Sequence, residues 1–484
     1  MNVKAISRNV GSALLISAAF MFLSMIVSII YGKDTSFVPL AISFIITFSV
    51  GVFPFIFVRG SQSLSIKEGY VTILLSWLLS FVFGMLPYIM WGGEFTIANS
   101  WFESVSGYTT TGSTILQDIE ALPNGLLFWR SSTHFIGGLG VVVFLLLILP
   151  EKSPFRRKLT NIEISSLSKE GYRYRSSRQV YIILAVYICI FIASAVSLII
   201  AGMPVFDAIN HAFSVTATGG FSIKNASIGF YNSTAINIIM MFFMLLSSMH
   251  FGLIYAAFVS RSLKPFKQQP VARYFLLCVL TFAIILTFVL KLGNGYSSWG
   301  KAAMDGAFSV ISYFTTTGFA ITDNSGWSAL ACAILMLAGL QCACSGSTTG
   351  GIKADRIYIA AKSIIRQIRI NSHPSSIERV KVGNQVLPED SVRSIMTYIV
   401  LYNTVVVVSI VLLMLFGVDV LDAFSGSVAS VGNVGPGLRT IGTAGNYFAQ
   451  PAVAKFIFSI DMVFGRLEIY PVLVVVSMIF RKGR

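Results

Sequence analysis

The sequence predicts an all-α polytopic membrane protein: four pseudo-symmetric span, pore-helix and span repeats around one pore, plus an N-terminal helical hairpin. Three observations carry this. The 484 residues are 55% hydrophobic and only 11% charged, against about 25% charged in a soluble domain. The apolar residues fall in blocks that reach the ~18 to 20 residues needed to cross a bilayer. Between some of these blocks a shorter apolar piece recurs four times in one register.

The first block, Gly11 to Tyr31, follows Lys4 and Arg8. It is too long for a signal-peptide core and lacks a small-residue cleavage site, so it reads as a retained span. With a second span at 37-58 it forms a hairpin, residues 1-66. Further spans are expected at 69-91, 126-149, 179-201, 234-259, 271-292, 327-345, 393-416 and 452-480. The pieces at 99-111, 207-219, 305-317 and 422-434 are too short to cross and read as re-entrant helices. These divide the rest of the chain into repeats at 67-160, 161-264, 265-372 and 373-484.

Charge placement orients the chain. With the N-terminus inside, 27 of the 35 Lys and Arg and 8 of the 20 Asp and Glu fall on the cytoplasmic face, 7 and 10 fall outside, and Arg466, Asp461 and Glu468 fall within a span. The faces then carry +19 and −3, a strong positive-inside bias that places both termini in the cytoplasm. The same placement argues against a nucleic-acid partner for the net charge of +15, because the cations sit in short links between spans. The five cysteines all lie in apolar stretches, which gives neither a disulfide framework nor metal-ligand spacing.

Each short piece begins at Asn99, Asp207, Asp305 or Asp422 and reaches a glycine 13 residues later, at Gly112, Gly220, Gly318 or Gly435. An aliphatic residue follows three positions on: Ile115, Ile223, Ile321 and Leu438. A lone TTTG string most often ends a helix in a tight turn. Four in register, each flanked by spans, point instead to one structure built four times. A short helix that ends in an extended Thr- and Gly-rich segment at membrane depth must line a polar cavity. Its C-terminus carries partial negative charge, and its inward carbonyls can replace a cation's water shell. Glu103, Asp118, Asp207, Asp305 and Asp323 near the mouth would concentrate cations; Asp207, Asp305 and Asp422 are equally candidates for helix N-caps.

The eighth span is interrupted by GLQCACSGSTTGG at 339-351. Gly346 and Gly351 have P-loop spacing, but Ile352 stands at the lysine position. The six small residues Ser345, Gly346, Ser347, Thr348, Thr349 and Gly350 exceed what close helix packing requires, and indicate an intramembrane loop. Arg466, with Asp461 and Glu468 nearby, is either a functional intramembrane charge or a neutralised structural one, bonded to those acids or to a neighbour's carbonyl.

The four-fold plan, the extra hairpin and the strings SVSGYTTTGST, SVTATGGFS, SYFTTTGFA and SVGNVGPGL resemble the Trk/Ktr/HKT superfamily of potassium transporters over essentially the whole chain. The resemblance implies a potassium filter at Thr110, Thr111 and Gly112; Thr218, Gly219 and Gly220; Thr316, Thr317 and Gly318; and Asn433, Val434 and Gly435. It implies that the loop, with Gly346, Ser347, Thr348, Thr349, Gly350 and Gly351, gates the path, and that Arg466 is an electrostatic barrier below the filter. Some plant relatives carry serine in place of the first glycine and favour sodium; Gly112 implies potassium. The family also implies a homodimer in the bacterial inner membrane and a cytoplasmic regulatory subunit of TrkA type. The regulator would carry any nucleotide, ATP, ADP or NAD, since this chain holds no nucleotide site and no covalent cofactor is expected.

That regulator would meet two basic links: 151-178, with Arg156, Arg157, Lys158, Arg173, Arg175 and Arg178, and 352-392, with Lys353, Arg356, Arg366, Arg369, Arg379 and Lys381. The same cations fit topology determination and contact with anionic membrane lipid. An intramembrane enzyme is disfavoured, since His134, His211, His250 and His373 form no HExxH pair and no Gly-x-Ser-x-Gly elbow is present. Repeats of one orientation favour a pore over a carrier with inverted repeats. Proton- or sodium-coupled symport through the same pore, or a less selective sodium and potassium pathway, stays open as an alternative.

Overall fold

The computed structural model describes residues 2–58, 64–148, 176–293, 295–376, 378–383 and 385–481, which leaves most of the first basic link outside the described residues. Helices α1 (Val3–Ile30) and α2 (Phe37–Phe57) form the hairpin. They approach so closely that a Cβ on Gly11 would lie 2.6 Å from the Gly51 carbonyl oxygen, the small-residue packing of membrane helices. The turn between them is fixed by Asp34, which accepts from the Ser28 hydroxyl, the Ser36 backbone N–H and, from the next repeat, the Gly125 N–H.

Repeat one comprises α3 (Ile66–Gly84), α4 (Leu86–Trp91), pore helix α5 (Ile97–Tyr108) and α6 (Asn124–Ile148). A capping box of Ser65 and Glu68 starts α3. Repeat two comprises α7 (Ser176–Ile200), pore helix α8 (Val205–Thr216), α9 (Thr234–Ser247) and α10 (Phe251–Ser260). After the short α11 (Lys264–Gln268), repeat three follows with α12 (Pro270–Gly293), pore helix α13 (Trp299–Phe314) and α14 (Ala329–Leu340). Helix α15 (Ala354–Ser372) and a two-stranded antiparallel hairpin, β1 (Lys381–Val382) with β2 (Gln385–Val386), lead into repeat four: α16 (Glu389–Leu415), pore helix α17 (Val420–Gly432), α18 (Ala452–Arg466) and α19 (Tyr470–Arg481). Pore helix α5 packs on α18, so the last repeat meets the first.

Among the described residues six helices are long and apolar enough to cross a membrane alone, and the bent pair α9–α10 makes a seventh. The other expected crossings are interrupted. Helix α6 turns at Gly140, whose φ of 67° is not helical. The span expected at 234-259 is broken at 248–250, with its halves bent by 103°. The span at 327-345 stops at Leu340, and that at 452-480 breaks where Glu468 and Ile469 take φ of 60° and 55°.

Three acids expected as N-caps lie inside their helices instead. The N-cap positions are Thr96, Pro204, Ser298 and Asp419, and α13 begins six residues before Asp305. Asp207 accepts from the Tyr231 hydroxyl, Asp305 from that of Tyr296 and Asp422 from that of Thr440, so each acid ties its pore helix to an adjoining segment.

Candidate functional site: a ring of four glycine turns over an interrupted span

The four pore helices end in one turn. Thr110, Thr218, Thr316 and Asn433 adopt left-handed φ values of 55°, 53°, 52° and 53°. Two residues on, Gly112, Gly220, Gly318 and Gly435 are positive again, at 83°, 81°, 77° and 98°. The residue between them donates its N–H to the carbonyl five back, on Ser106, Ser214, Ser312 and Ala429, at 2.8 to 3.0 Å. This is a Schellman closure with threonine or asparagine where glycine is usual. A left-handed conformation costs a β-branched residue about 1–3 kcal/mol, so three threonines hold strain here.

The segments form a closed ring. A Cβ on Gly112 would lie 2.1 Å from the Gly219 carbonyl oxygen, one on Gly220 2.0 Å from that of Thr317, one on Gly318 2.2 Å from that of Val434, and one on Gly435 2.5 Å from that of Thr111. Each glycine thus abuts the carbonyl just before the glycine of the next repeat, and the fourth returns to the first. All four glycines line an open cavity of about 700 Å³ on one side of the ring. The twelve residues expected from the sequence as a filter are therefore brought together. His134 adds a support that the sequence did not reveal: its ring lies 2.4 Å from the position of a Cβ on Gly219, bonds Ser214 Oγ at 3.2 Å and stacks on Phe221 at 4.1 Å.

On the other side of the ring, the side chains of three of the four left-handed residues, Thr218, Thr316 and Asn433, meet the loop between α14 and α15. The Thr218 hydroxyl donates to Thr348 Oγ1 at 3.3 Å, and the Gly350 N–H to Thr316 Oγ1 at 3.4 Å. A Cβ on Gly350 would lie 2.3 Å from Asn433 Oδ1. Buried Thr110 Oγ1 and Asn433 Oδ1 have no hydrogen-bond partner among the described residues, which leaves two oxygens suited to a cation. The loop seats in the break of the α9–α10 pair: the Cys344 N–H donates to the Ser248 carbonyl at 3.3 Å and the Phe251 N–H to that of Gly346 at 3.1 Å. Gly346 and Gly351 take φ of 78° and 60°, and Cβ atoms there would strike the His250 ring and Cys342 Sγ. The Ser347 hydroxyl bonds the Cys344 carbonyl and the Thr349 hydroxyl.

Arg466 bonds neither nearby acid. Its guanidinium donates to the Thr348 carbonyl of the loop and to the carbonyls of Gly137 and Gly138 in α6, the latter at 2.5 and 3.0 Å. The acids are engaged elsewhere: Asp461 with the Ser409 hydroxyl, and Glu468 with Arg356. Lys353 and Arg356, expected in a surface link, are mostly buried; Lys353 Nζ donates to the Thr349 carbonyl at the end of the loop.

The mouth differs from the acidic funnel expected. Glu103 is fully buried within α5 and forms an ion pair with Arg130 at 2.6 Å. Glu103 also accepts from the Ile115 N–H and the Thr114 hydroxyl, while Arg130 donates to the Ser222 carbonyl and lies over the Phe221 ring at 3.5 Å. The charged residues lining the cavity are Arg130 and Lys224. Asp118 and Asp323 are exposed, and hydrogen bonds from the Asn225 amide and the Glu120 N–H outweigh desolvation and hold the Asp118 carboxyl below the usual carboxylate range.

Residues 38–483 match the TrkH family model, described as a cation transport protein. The chain is 33% identical to the Trk system potassium uptake protein TrkH of Salmonella typhimurium over 99% of both chains, and 32% identical to TrkG of Escherichia coli K12, again over 99% of both. Its structure superposes on the crystal structure of the potassium transporter TrkH from Vibrio parahaemolyticus with a TM-score of 0.89, at 30% identity and covering 98% of each chain. The ring, the interrupted spans and these full-length similarities agree: the chain belongs to the TrkH family of cation transport proteins.

Proposed function

We propose that the chain is the membrane subunit of a bacterial potassium uptake system and passes potassium through the ring of four filter segments. The closed ring carries the reading: carbonyls of residues 111, 219, 317 and 434, each packed against a glycine of the preceding repeat, form one collar through which a dehydrated cation could pass. Relatives named as potassium uptake proteins support potassium as the cargo, as does the glycine retained in the first repeat. The loop bonded across the ring's underside, with Arg466 joining it to α6, supports a closed gate of residues 346–351 and Arg466. The strongly basic links support a cytoplasmic face where a TrkA-type nucleotide-binding subunit docks on a homodimer, with both termini on that face.

The test is growth of a potassium-uptake-deficient bacterium on low potassium with this chain and a TrkA-type subunit supplied. Rescue that Gly112→Ser weakens is expected; absence of rescue with the chain present in the membrane would overturn the reading. In proteoliposomes, a reversal potential that tracks potassium alone marks channel-like passage, and dependence on the pH or sodium gradient marks symport.

A further inference from the structure

We infer that a basic cleft between α15 and the β1–β2 hairpin binds the phosphate headgroup of an anionic membrane lipid. Lys362, Arg366 and Arg369 recur on one face of α15 at helical spacing, opposite Arg379 and Lys381 of the hairpin, and Glu378 supplies the acid of the lining. The cleft is open to solvent, with about 1210 Å³ of space in and over it. Its walls are held by a core separate from the main one: Ile359, Val380, Val382 and Val392 are buried together. Lys362 Nζ donates to the Lys381 carbonyl at 2.9 Å, which fastens the hairpin to the helix.

The cations outnumber their partners. Arg366 pairs with Glu389 at 2.7 Å and Arg369 approaches Glu378 at 3.9 Å. Arg366 Nε is buried with no partner among the described residues, and Arg379 and Lys381 are exposed. A site with five cations against two acids suits a phosphate, whose oxygens take several charge-assisted bonds at once.

Two further observations favour a lipid as the source of that phosphate. The small core is completed by Val271, the second residue of spanning helix α12, and by Ile395 in the second turn of spanning helix α16, which sets the cleft at the membrane boundary. Helix α15 also exposes Ile364, Ile365 and Ile368, about half of each side chain free, and Ile365 lines the cleft. An apolar stripe beside a basic cleft at headgroup level is how an amphipathic helix meets an anionic leaflet.

Binding can be read on the full chain without any flux assay, so the assignment stands or falls separately from potassium transport. Native mass spectrometry of detergent-purified protein would count bound phosphatidylglycerol against phosphatidylcholine, in wild type and in Arg369→Gln/Arg379→Gln. Both substituted side chains are exposed, so folding should be retained, and a melting temperature checks it. Wild type is expected to prefer phosphatidylglycerol, and the double variant to lose roughly thirtyfold in affinity, in keeping with two basic residues near a lipid surface. Equal lipid occupancy in the two proteins, with inorganic pyrophosphate raising the melting temperature of wild type alone, would assign the cleft to a soluble anion and overturn the lipid assignment. Equal behaviour towards both probes would overturn the anion site and leave the cations to an acidic protein partner.

Discussion

Nothing larger than a hydrogen fits at the side-chain position of Gly112, since a methyl group there would meet the Gly219 carbonyl oxygen at 2.1 Å in a backbone that already disfavours side chains. Gly112→Ser should therefore move the second repeat's carbonyl and lower potassium preference, read as weaker rubidium uptake in competition with sodium. An unchanged ratio would sink the filter assignment. Glu103 and Arg130 behave differently, because burial makes either charge costly without the other. Glu103→Gln is expected to cost about 3–5 kcal/mol, seen as a lower melting temperature, and Glu103→Gln/Arg130→Met should recover part of that loss. The glycines were legible because their spacing repeats four times. The ion pair was not, since its members are 27 positions apart in the sequence and Glu103 reads as a mouth acid, though charges embedded in apolar helices were the available signal. Arg466 gave that signal, and the sequence left its partner open among acids and carbonyls; carbonyls of the loop and of α6 accept it. Arg466→Ala should raise cation flux in proteoliposomes, and unchanged flux at normal insertion would remove its role as a barrier.

At the scale of elements, the loop and the broken helices form one device. Helix α9 ends and α10 begins where loop atoms at Cys344 and Gly346 take up backbone groups of Ser248 and Phe251. Deleting residues 347–350 should raise flux, as should Arg466→Ala. Because Arg466 holds the loop at Thr348, the combined variant should equal the deletion alone rather than add to it. Additive gains, measured as rubidium influx, would place the two on separate barriers. The loop was legible from its run of small residues, which no apolar helix needs. Its seat was not: Ser248-Met249-His250 lacks proline and glycine, and the bend is stabilised by a partner about a hundred residues away. The start of α13 at Trp299 escaped for a local reason, since Lys301 interrupts the apolar pattern while Ser298 caps the helix.

For the whole molecule, the charge asymmetry predicts which face meets the cytoplasm. With the five native cysteines replaced, a cysteine at exposed Asp323 near the filter mouth should react with an impermeant maleimide in intact cells, and one at exposed Ser375 only after permeabilisation; the reverse pattern would invert the topology. The four-fold plan was legible because each repeat keeps its register, even though repeat four writes Asn433 and Val434 where repeats one and three write threonines. That difference has a consequence for how such a ring can drift. Repeat four holds the same two left-handed positions with asparagine in place of threonine at the first and glycine kept at the second, so the side chains before the glycine are negotiable and backbone shape is not. Every glycine also borders a carbonyl of the next repeat, so no copy can enlarge without consent from its neighbour. In a library randomised at all twelve filter positions and selected for growth on low potassium, the four glycines should return, with Gly219 held beside them by the His134 ring, while the other positions before them vary. The few survivors without a glycine should carry their second change in the following repeat, in cyclic order.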